Sequence, residues 1–472
     1  MKIAICASEV VPFAKTGGLA DVAGALPLAL EKLKTEVVVL MPFYKNTALS
    51  KVVAEVVKPG VLSSKLGDAI KVYFIQNDKY FDREGLYGTS KGDYPDNLER
   101  FSFFCQKSLE FLKQINFKPD LIHVHDWQAA YIPMFLKTKL STDPFYKNCR
   151  TLLTIHNLAY QGLFTREAFP KLGMDWSFFN MEQLEFYGKG NTLKGGIVFS
   201  DCINTVSPTY AKEIQTKEFG CGLEGILTKR RDSLTGILNG LDYSAWNPED
   251  DKFIARKFGP KNPKDKLKNK QDLQKISKLP VKDNVPLLGM VSRLAEQKGL
   301  DILAQALDEI CKLNLQLVIL GTGDIKYHQL LEAKAKKFPK VFSLYLKFDN
   351  SLAHKIYAGS DIFLMPSKYE PCGLGQMISL KYATIPLVYK TGGLADTIDS
   401  TNGFIFDDYS AAALLEITKE SLSLYQDKKK WQAKMKQAME CNFSWEESAR
   451  QYIKLYQKLI TSKEGLQLAA AR

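Results

Sequence analysis

The same seven residues, K-T-G-G-L-A-D, occur twice in this chain of 472 residues, at 15–21 and again at 390–396. Glycine pairs allow positive φ angles and a close approach of the backbone, and amide groups at a helix start can bind an anion. Each copy follows a predicted strand and carries a lysine ahead of its glycines. We therefore interpret both copies as turns that contact a ligand. A tight turn that needs glycine for its own conformation is the alternative for each.

Polar or glycine-rich residues follow several other predicted strands. In the first half of the chain this set comprises Glu9, Lys15, Gly17, Gly18, Asp21, Asp126, Trp127, His156 and Asn157. In the second half it comprises Arg293, Lys298, Gly321, Gly323, Glu370, Cys372, Gly373, Thr391, Gly392, Gly393 and Leu394. Ligands of parallel α/β sheets bind beyond the carboxyl ends of the strands. We therefore expect these residues to lie on the functional edge.

Two cations in the second half are suited to a diphosphate. Arg293 and Lys298 share one loop ahead of a predicted helix, and charge-assisted bonds to phosphate contribute roughly 1.5–3 kcal/mol each. Two exposed charges beside a helix are the alternative. The chain has no G-x-x-x-x-G-K-[ST] loop and no D-x-D pair, and neither glycine turn is a G-x-G-x-x-G fingerprint. Fixed cations and helix dipoles must then neutralise a departing diphosphate.

Histidine and cysteine form no evident metal-binding pattern. Three of the five histidines lie in HVHDW and TIHN, where His123 and His125 share one face of a strand without a third ligand. We interpret that pair as structural, with a metal site as the alternative. The eight cysteines form no C-x-x-C pair, which predicts reduced thiols rather than a disulfide framework or a zinc site.

The composition indicates a globular protein of two or three domains, with 45% hydrophobic and 25% charged residues. The formal charge is +12, and part of it lies in the basic stretch 256–282. We interpret that stretch as a solvated helical face and linker rather than a nucleic-acid surface. No apolar run reaches the roughly 18 residues of a membrane span, and no signal-type leader is evident. These features predict a cytoplasmic protein without nucleic-acid or membrane partners.

Short apolar runs alternate with longer amphipathic ones, which predicts α/β architecture with parallel sheets covered on both faces. The predicted strands are 3–8, 36–42, 72–76, 120–126, 151–157 and 202–207, then 286–292, 315–321, 342–346, 361–367 and 385–390. The loop 238–248 breaks this series and predicts domains at 1–240 and 241–445. The amphipathic segment 446–472 is expected to form a helix that crosses back to the first domain.

Seven motifs, in order along the whole chain, resemble those of bacterial glycogen synthases and plant starch synthases. They are SEVVPFAKTGGLADV (8–22), HVHDW (123–127), TIHNLAYQG (154–162), ILNGLD (237–242), SRLAEQKG (292–299), EPCGLGQ (370–376) and KTGGLADT (390–397). The resemblance implies a GT-B fold, in which two Rossmann-like domains face each other across a deep cleft. The two glycine turns would then form the two lips of that cleft.

The resemblance also implies roles for individual residues. The implied catalytic set is Lys15, Asp126, His156, Arg293, Lys298 and Glu370. The implied donor-binding set is Lys15, Gly17, Gly18, Arg293, Lys298, Gly321, Gly323, Glu370, Cys372, Gly373, Thr391, Gly392, Gly393 and Leu394. The implied sugar- and acceptor-binding set is Glu9, Asp21, Trp127, His156, Asn157 and Asn239. Among these, Arg293 and Lys298 would hold the donor diphosphate and Glu370 would contact the donor sugar.

The reaction implied by the resemblance transfers glucose from ADP-glucose to the non-reducing end of an α-1,4-glucan, glycogen or starch, with retained configuration. It needs no metal or organic cofactor, because positioning and stabilisation of the departing diphosphate supply the catalysis. Within this fold, the alternatives are UDP-glucose as the donor or a different acceptor. The resemblance to plant enzymes also implies the plastid stroma as an alternative location for a mature form. A glucan phosphorylase and a non-catalytic two-domain sugar-binding protein are the alternatives of other kinds.

The sequence departs from the family pattern at three places. Gln128 replaces the histidine of D-W-H, the triplet 348–350 reads F-D-N instead of Y-H-E, and Ile378 replaces the second glutamate of the wider GT-B pattern. Phe348 lacks the tyrosine hydroxyl but keeps a ring that can stack on a nucleotide base. The donor preference therefore stays open at this stage.

Overall fold

The computed structural model describes residues 1–47 and 55–461 of the chain. Its contacts divide the chain into two compact units. The N-terminal unit comprises Met1–Gly240 together with the C-terminal segment that begins at Trp445, and the C-terminal unit comprises Leu241–Ser444. Within the described ranges, no helix is long and apolar enough to cross a membrane.

The N-terminal unit alternates strands and helices. Its strands are β1 (Lys2–Cys6), β2 (Glu36–Pro42), β3 (Glu55–Lys58), β4 (Val61–Leu66), β5 (Ile70–Ile75), β6 (Gly88–Thr89), β7 (Gly92–Asp93), β8 (Leu121–His125), β9 (Arg150–Ile155), β10 (Leu163–Thr165), β11 (Glu185–Phe186), β12 (Lys189–Asn191), β13 (Cys202–Thr205) and β14 (Leu234–Gly236). Its helices before residue 240 are α1 (Gly18–Lys32), α2 (Asp78–Phe81), α3 (Asn97–Gln114), α4 (Asp126–Ala129), α5 (Tyr131–Lys137), α6 (Thr192–Phe199), α7 (Pro208–Glu213) and α8 (Glu224–Lys229).

The main sheet of this unit runs in the order β14-β13-β9-β8-β1-β2-β5-β4-β3. Neighbouring strands are parallel except at the β3–β4 and β4–β5 pairs, which are antiparallel. The prediction of a parallel sheet thus holds for the strands from β14 to β5 and not for these two edge pairs. The reason is a hairpin turning at Gly60, whose φ is +77°, between two strands with mixed polar and apolar residues rather than continuous apolar runs.

The C-terminal unit contains a second, fully parallel sheet in the order β17-β16-β15-β18-β19-β20. Its strands are β15 (Leu287–Val291), β16 (Gln316–Leu320), β17 (Phe342–Tyr345), β18 (Ile362–Met365), β19 (Ile385–Tyr389) and β20 (Phe404–Phe406). Its helices are α9 (Lys266–Ile276), α10 (Leu300–Lys312), α11 (Ile325–Lys337), α12 (Asn350–Gly359), α13 (Gly375–Lys381), α14 (Gly392–Thr397), α15 (Ala411–Gln426) and α16 (Lys428–Glu440).

The strands of this second sheet bury both of their faces. Along β16, Leu317 and Ile319 belong to one buried cluster, whereas Val318 and Leu320 belong to another. Successive side chains of a strand point to opposite faces of the sheet. The continuous apolar run in the sequence is thus explained by helices packed on both sides.

Each sheet contains a point where the order of the strands reverses. In the N-terminal unit β1 lies between β2 and β8, and in the C-terminal unit β15 lies between β16 and β18. The loops that follow the two strands at such a point leave in opposite directions and open a crevice, where ligands of α/β proteins bind. Glu9 and Asp126 lie in or next to the loops of the first crevice. Lys298 and Glu370 lie in the loops of the second.

The last described helix, α17 (Trp445–Thr461), belongs to the N-terminal unit. Its Tyr452 and Tyr456 are fully buried. Tyr456 Oη hydrogen-bonds His123 Nδ1 at 2.8 Å, and Tyr452 Oη accepts a bond from Asn204 Nδ2 at 3.0 Å. The end of the chain therefore completes the core beside β8 and β13.

The basic stretch 256–282 is not simply a solvated face, and that interpretation is wrong at two lysines. Lys266 is buried and its Nζ donates to the carbonyl oxygens of Ala358 and Tyr382 at 2.8 and 2.9 Å. Lys270 is also buried and pairs with Asp361 at 2.7 Å. Both ammonium groups find polar partners inside the unit, which compensates for their removal from water.

Candidate functional site

The loops after β15 and β18 bring Lys298 and Glu370 together. Lys298 Nζ donates to Glu370 Oε2 at 2.5 Å, and Ser367 Oγ donates to the same oxygen at 3.1 Å. Glu370 is only 7% exposed. An ammonium group suits phosphate oxygens and a carboxylate suits sugar hydroxyls. The crevice of the C-terminal unit therefore holds both groups needed for a phosphorylated sugar.

The second glycine turn packs directly against the loop of Glu370. Gly392 has φ +43°, and a Cβ there would lie 2.0 Å from the carbonyl oxygen of Glu370. A Cβ at Gly393 would lie 2.1 Å from the carbonyl oxygen of Cys372, and the Gly393 amide donates to the Glu370 carbonyl at 3.0 Å. Glycine is needed here so that two backbones can touch.

Other predicted donor-binding residues hold these loops in place. The Leu394 amide donates to the Thr391 carbonyl at 3.0 Å. Gln376 Nε2 donates to the carbonyls of Cys372 and Gly373 at 3.0 and 3.1 Å. The amides of Gly393 and Leu394 thus already have partners within the chain, and their predicted contact with a diphosphate stays a prediction.

Arg293 lies in a loop that is supported by the neighbouring G-T-G turn. A Cβ at Gly321 would lie 2.0 Å from the Ser292 carbonyl oxygen, and one at Gly323 would lie 2.4 Å from that of Leu294. These glycines therefore allow two loops to pack closely. The Arg293 side chain is exposed, so its guanidinium is accessible to an anion.

The first glycine turn is open where the second is crowded. A Cβ at Gly17 or Gly18 would meet nothing within 4 Å, and both residues are exposed. Lys15 Nζ donates to both carboxylate oxygens of Asp21 at 2.7 and 2.8 Å. This turn begins α1 with a free flank and a cation beside it, which suits the approach of an anionic ligand.

The buried carboxylate of Glu9 accepts hydrogen bonds from the first glycine turn. Glu9 is 3% exposed and accepts bonds from the Thr16 amide, from Thr16 Oγ1 at 2.6 Å and from the Gly17 amide at 3.2 Å. Tyr87 Oη also donates to it, at 2.5 Å. Sequence reasoning missed Tyr87, because it follows no predicted strand and lies in an irregular polar stretch. Glu9 therefore orders the turn, a role that the sequence did not indicate.

The loops after β8 and β9 join Asp126 to His156. Asp126 is 8% exposed with φ +53°, and its Oδ1 accepts from the His156 amide at 2.7 Å. Burial raises the pKa of Asp126 to about 7 and lowers the pKa of His156 to about 3. Strained backbone at a non-glycine residue is frequent at functional sites. This pair is the best candidate for orienting a sugar in the N-terminal unit.

The remaining residues of the predicted acceptor set differ in accessibility. Trp127 is 6% exposed and packs edge-on against Phe101, with ring centroids 5.0 Å apart. Asn157 Oδ1 accepts from the Ala159 amide at 3.1 Å. Asn239 is 8% exposed and its Oδ1 is buried without a partner in the described part of the chain. Trp127 thus lies in the core, whereas Asn239 has unused hydrogen-bonding capacity.

All three departures lie in the described part of the chain, and Ile378 is a buried residue of α13. Gln128 is buried, and its Oε1 has no hydrogen-bond partner within residues 1–47 and 55–461. Phe348 is 91% exposed, ahead of Asp349, whose side chain caps α12 by accepting from the Leu352 amide at 2.9 Å. An exposed ring in this position is available for stacking.

His123 and His125 are engaged with protein groups. His123 bonds Tyr456 and Thr154, and His125 Nδ1 lies 2.9 Å from His156 Nε2. Among the residues that the structure describes, no group of three or more His, Cys, Asp or Glu side chains is arranged to hold a metal ion. These contacts support a structural interpretation of the pair on β8.

The chain matches known proteins along its whole length. Residues 2–229 match the family described as starch synthase catalytic domain, and residues 271–438 match glycosyl transferases group 1. A glycogen synthase of Geotalea daltonii is 49% identical over 98% of this chain and 100% of its own length, and glycogen synthase 2 of Geobacter sulfurreducens is 45% identical with the same coverage. The solved catalytic domain of starch synthase IV from Arabidopsis thaliana, bound to ADP and acarbose, is 32% identical with a TM-score of 0.87, covering 98% of this chain and 99% of that one.

Proposed function

Since the chain belongs to the glycogen and starch synthase family of glucosyltransferases and has their GT-B fold, we propose that its donor is ADP-glucose. Glucose passes to the non-reducing end of an α-1,4-glucan with retained configuration. The starch synthase of similar structure was solved with ADP, which supports ADP as the leaving nucleotide here.

The Lys298–Glu370 pair is the observation that carries the assignment of a diphosphate-linked glucose as the donor. It lies at the strand-order reversal of the second sheet, where an α/β protein binds its ligand. Glu370 is buried and is held by Lys298 at 2.5 Å and by Ser367 at 3.1 Å. We assign the carboxylate to the hydroxyls of the donor glucose and the ammonium group to the diphosphate. Arg293, which is exposed in the adjacent loop, supplies the second cation.

Catalysis in this proposal is mainly electrostatic. Negative charge develops on the diphosphate as the glucose leaves, and fixed cations stabilise that charge without reorganising. Lys298 is already held by its contact with Glu370 and its side chain is only 17% exposed, so little conformational entropy is lost when it binds phosphate. We expect no metal ion or organic cofactor to take part in the reaction.

The N-terminal unit supplies the groups that orient sugars. We assign this role to Asp126, His156, Asn157 and Asn239, with Glu9 and Asp21 ordering the glycine turn that carries Lys15. The Oδ1 of Asn239 is buried and has no hydrogen-bond partner among the described residues, so it can accept a bond from a sugar hydroxyl, which supports this assignment. Trp127 supports these residues from the core.

The test is glycogen-dependent release of nucleotide from ADP-glucose and from UDP-glucose, measured in EDTA. We expect release of ADP that requires glycogen and survives the chelator. Lys298→Ala should lower kcat/KM by about 100-fold to 1000-fold, as removal of one preorganised charge-stabilising group does elsewhere. Lys312→Ala is the control, because Lys312 forms an exposed pair with Glu309 on the helix that follows.

Each outcome of this test has a definite meaning. Release from UDP-glucose alone would contradict the donor assignment but not the fold or the cation pair. No glycogen-dependent release from either donor would overturn the proposal for this chain and favour a sugar-binding protein. A full loss in both lysine variants would show that Lys298 has no special role.

A further inference from the structure

Three histidine rings lie in a row inside the N-terminal unit. His123 and His125 on β8 have ring centroids 4.2 Å apart, and those of His125 and His156 are 5.2 Å apart. In a neutral imidazole one nitrogen donates a hydrogen bond and the other accepts one. The position of the proton on His156 therefore decides whether this side chain donates to a sugar hydroxyl or accepts from it.

All three rings are neutral at physiological pH. Burial lowers the pKa of His123 and of His156 to about 3, and it lowers the pKa of His125 well below its ordinary value. The contact of 2.9 Å between His125 Nδ1 and His156 Nε2 is then a hydrogen bond between two neutral rings. One of these two nitrogens carries a proton and the other does not.

The surroundings of His125 decide which nitrogen that is. His125 is fully buried, and its Nε2 has no hydrogen-bond partner among the described residues. A buried N–H without an acceptor is rarer and costlier than a buried lone pair without a donor. The His125 proton therefore lies on Nδ1, and His125 donates to His156 Nε2. His156, accepting there, must carry its own proton on Nδ1.

We propose that His125 is a positioning residue, which fixes His156 in the tautomer protonated on Nδ1 so that His156 only donates toward the substrate. The inference rests on the proposed function, which places His156 at a sugar. His156 Nδ1 has no hydrogen-bond partner within the described ranges, so it is the nitrogen left for a ligand. A sugar hydroxyl or ring oxygen would accept this bond.

The surrounding contacts hold the rings of His125 and His156 in their relative positions. The His123 ring lies against the His125 ring, with the two ring planes tilted by 34°, and it hydrogen-bonds Tyr456 Oη at 2.8 Å and Thr154 Oγ1 at 2.7 Å. The amide of His156 donates to Asp126 Oδ1 at 2.7 Å. Both the ring and the backbone of His156 are thus fixed, which is the arrangement expected of a preorganised hydrogen-bond donor.

The test is the ¹⁵N spectrum of the full chain labelled at histidine, at neutral pH. The chain has only five histidines, and the loss of signals in His156→Gln and in His125→Asn identifies those of His156 and His125. We expect the proton on Nδ1 in both His125 and His156. A proton on Nε2 of His156, or an imidazolium there, would overturn the proposal.

Two substitutions of similar size separate positioning from packing. In His125→Asn the amide nitrogen takes the place of Nδ1 and can still donate, whereas His125→Leu removes the donor. We expect His125→Leu to mix the tautomers of His156 and lower kcat/KM about tenfold, and His125→Asn to keep the tautomer and most of the activity. Equal losses in both folded variants with an unchanged His156 tautomer would contradict the positioning role.

The tautomer assignment and the proposed function fail separately. If His125→Leu does not fold, the spectra of the wild-type chain and of His125→Asn carry the test. A wild-type chain with the expected spectrum but no glycogen-dependent nucleotide release would overturn the proposed function and leave the tautomer assignment intact.

Discussion

The two copies of K-T-G-G-L-A-D share their sequence but not their surroundings. In the first copy the glycines are exposed, a Cβ at either would meet nothing within 4 Å, and the lysine pairs with the aspartate of the same motif. In the second copy the glycines are buried, a Cβ at either would lie within 2.1 Å of a backbone oxygen, and Lys390 pairs with Asp407 outside the motif.

This difference shows that identical residues can be required for different reasons. The second turn needs glycine because two loops of the C-terminal unit touch there, so its glycines serve packing first. The first turn has no such need, and its open flank leaves the backbone accessible to a ligand. Substitutions at matching positions should therefore separate stability from activity.

Gly393→Ala should have the largest effect on stability. Its new Cβ would lie 2.1 Å from a backbone oxygen that cannot move aside easily, and we expect a loss of about 3 kcal/mol or more in the free energy of unfolding. Urea unfolding followed by circular dichroism measures this. Gly18→Ala is the control and should change stability by less than about 1 kcal/mol, since it only adds a methyl group at a helix start. Equal losses would contradict the contrast between the turns.

Replacing Lys15 of the first copy and Lys390 of the second should have different effects on kcat/KM. Lys15→Ala should lower kcat/KM for the donor about 10-fold to 100-fold, the effect of losing one charge-assisted bond to phosphate. Lys390→Ala should stay within about twofold of the wild type, because that lysine pairs with Asp407 at 2.8 Å on the surface. Steady-state kinetics with varied donor gives both values. A larger loss at Lys390 would reverse our assignment of the ligand-contacting turn.

Acid should lower the free energy of unfolding of the N-terminal unit, which contains the first copy, more than that of the C-terminal unit. The pKa of His123 and of His156 is about 3 in the folded chain, below the ordinary value of about 6.5. Their contribution is therefore complete above pH 6.5 and is lost as the pH falls toward 3. At pH 5 the loss is about 2 kcal/mol for each histidine. Asp126 of the same unit offsets part of this loss, because burial raises its pKa to about 7 and its protonation favours the folded state as the pH falls.

This pH effect can be followed unit by unit. Trp127 reports on the N-terminal unit and Trp431 on the C-terminal unit, since both are buried, and the other tryptophans are replaced by phenylalanine. Urea unfolding at pH 7 and pH 5 should show the larger shift at Trp127. Equal shifts at both reporters would show that the histidine row does not set the acid sensitivity.

The two aspartate partners should matter least for stability. Asp21→Asn and Asp407→Asn each break a surface ion pair of 2.7 and 2.8 Å. Exposed pairs contribute little, so we expect less than about 0.5 kcal/mol in each case. Thermal unfolding of both variants checks this. A loss above about 1 kcal/mol at Asp21 alone would mean that the pair holds the first turn in shape.

The sequence was sufficient to predict the parallel core of both sheets. The run 36–42 was predicted as a strand and forms β2 over Glu36–Pro42, because a continuous apolar segment has few other stable conformations. The GT-B fold and the glucosyltransferase family are confirmed as well. The edge strands β3 and β4 were not predicted, because their mixture of polar and apolar residues resembles that of loops.

The details of the site depend on contacts that no local pattern reveals. Tyr87 reaches Glu9 across 78 positions of sequence, and Lys266 reaches carbonyls more than 90 positions away. Their environments are set by tertiary packing, which overrides composition and charge pattern. The contrast between the two glycine turns was hidden for the same reason.

The position of α17 has a consequence for how the protein is made. Tyr456 and Tyr452 fill the core beside His123 and Asn204, although these partners are separated by 333 and 248 positions of sequence. The ribosome synthesises the whole C-terminal unit before it reaches those tyrosines. A nascent chain can thus complete its C-terminal unit while its N-terminal unit still lacks α17. A premature stop codon before residue 445 would leave the N-terminal unit without this helix.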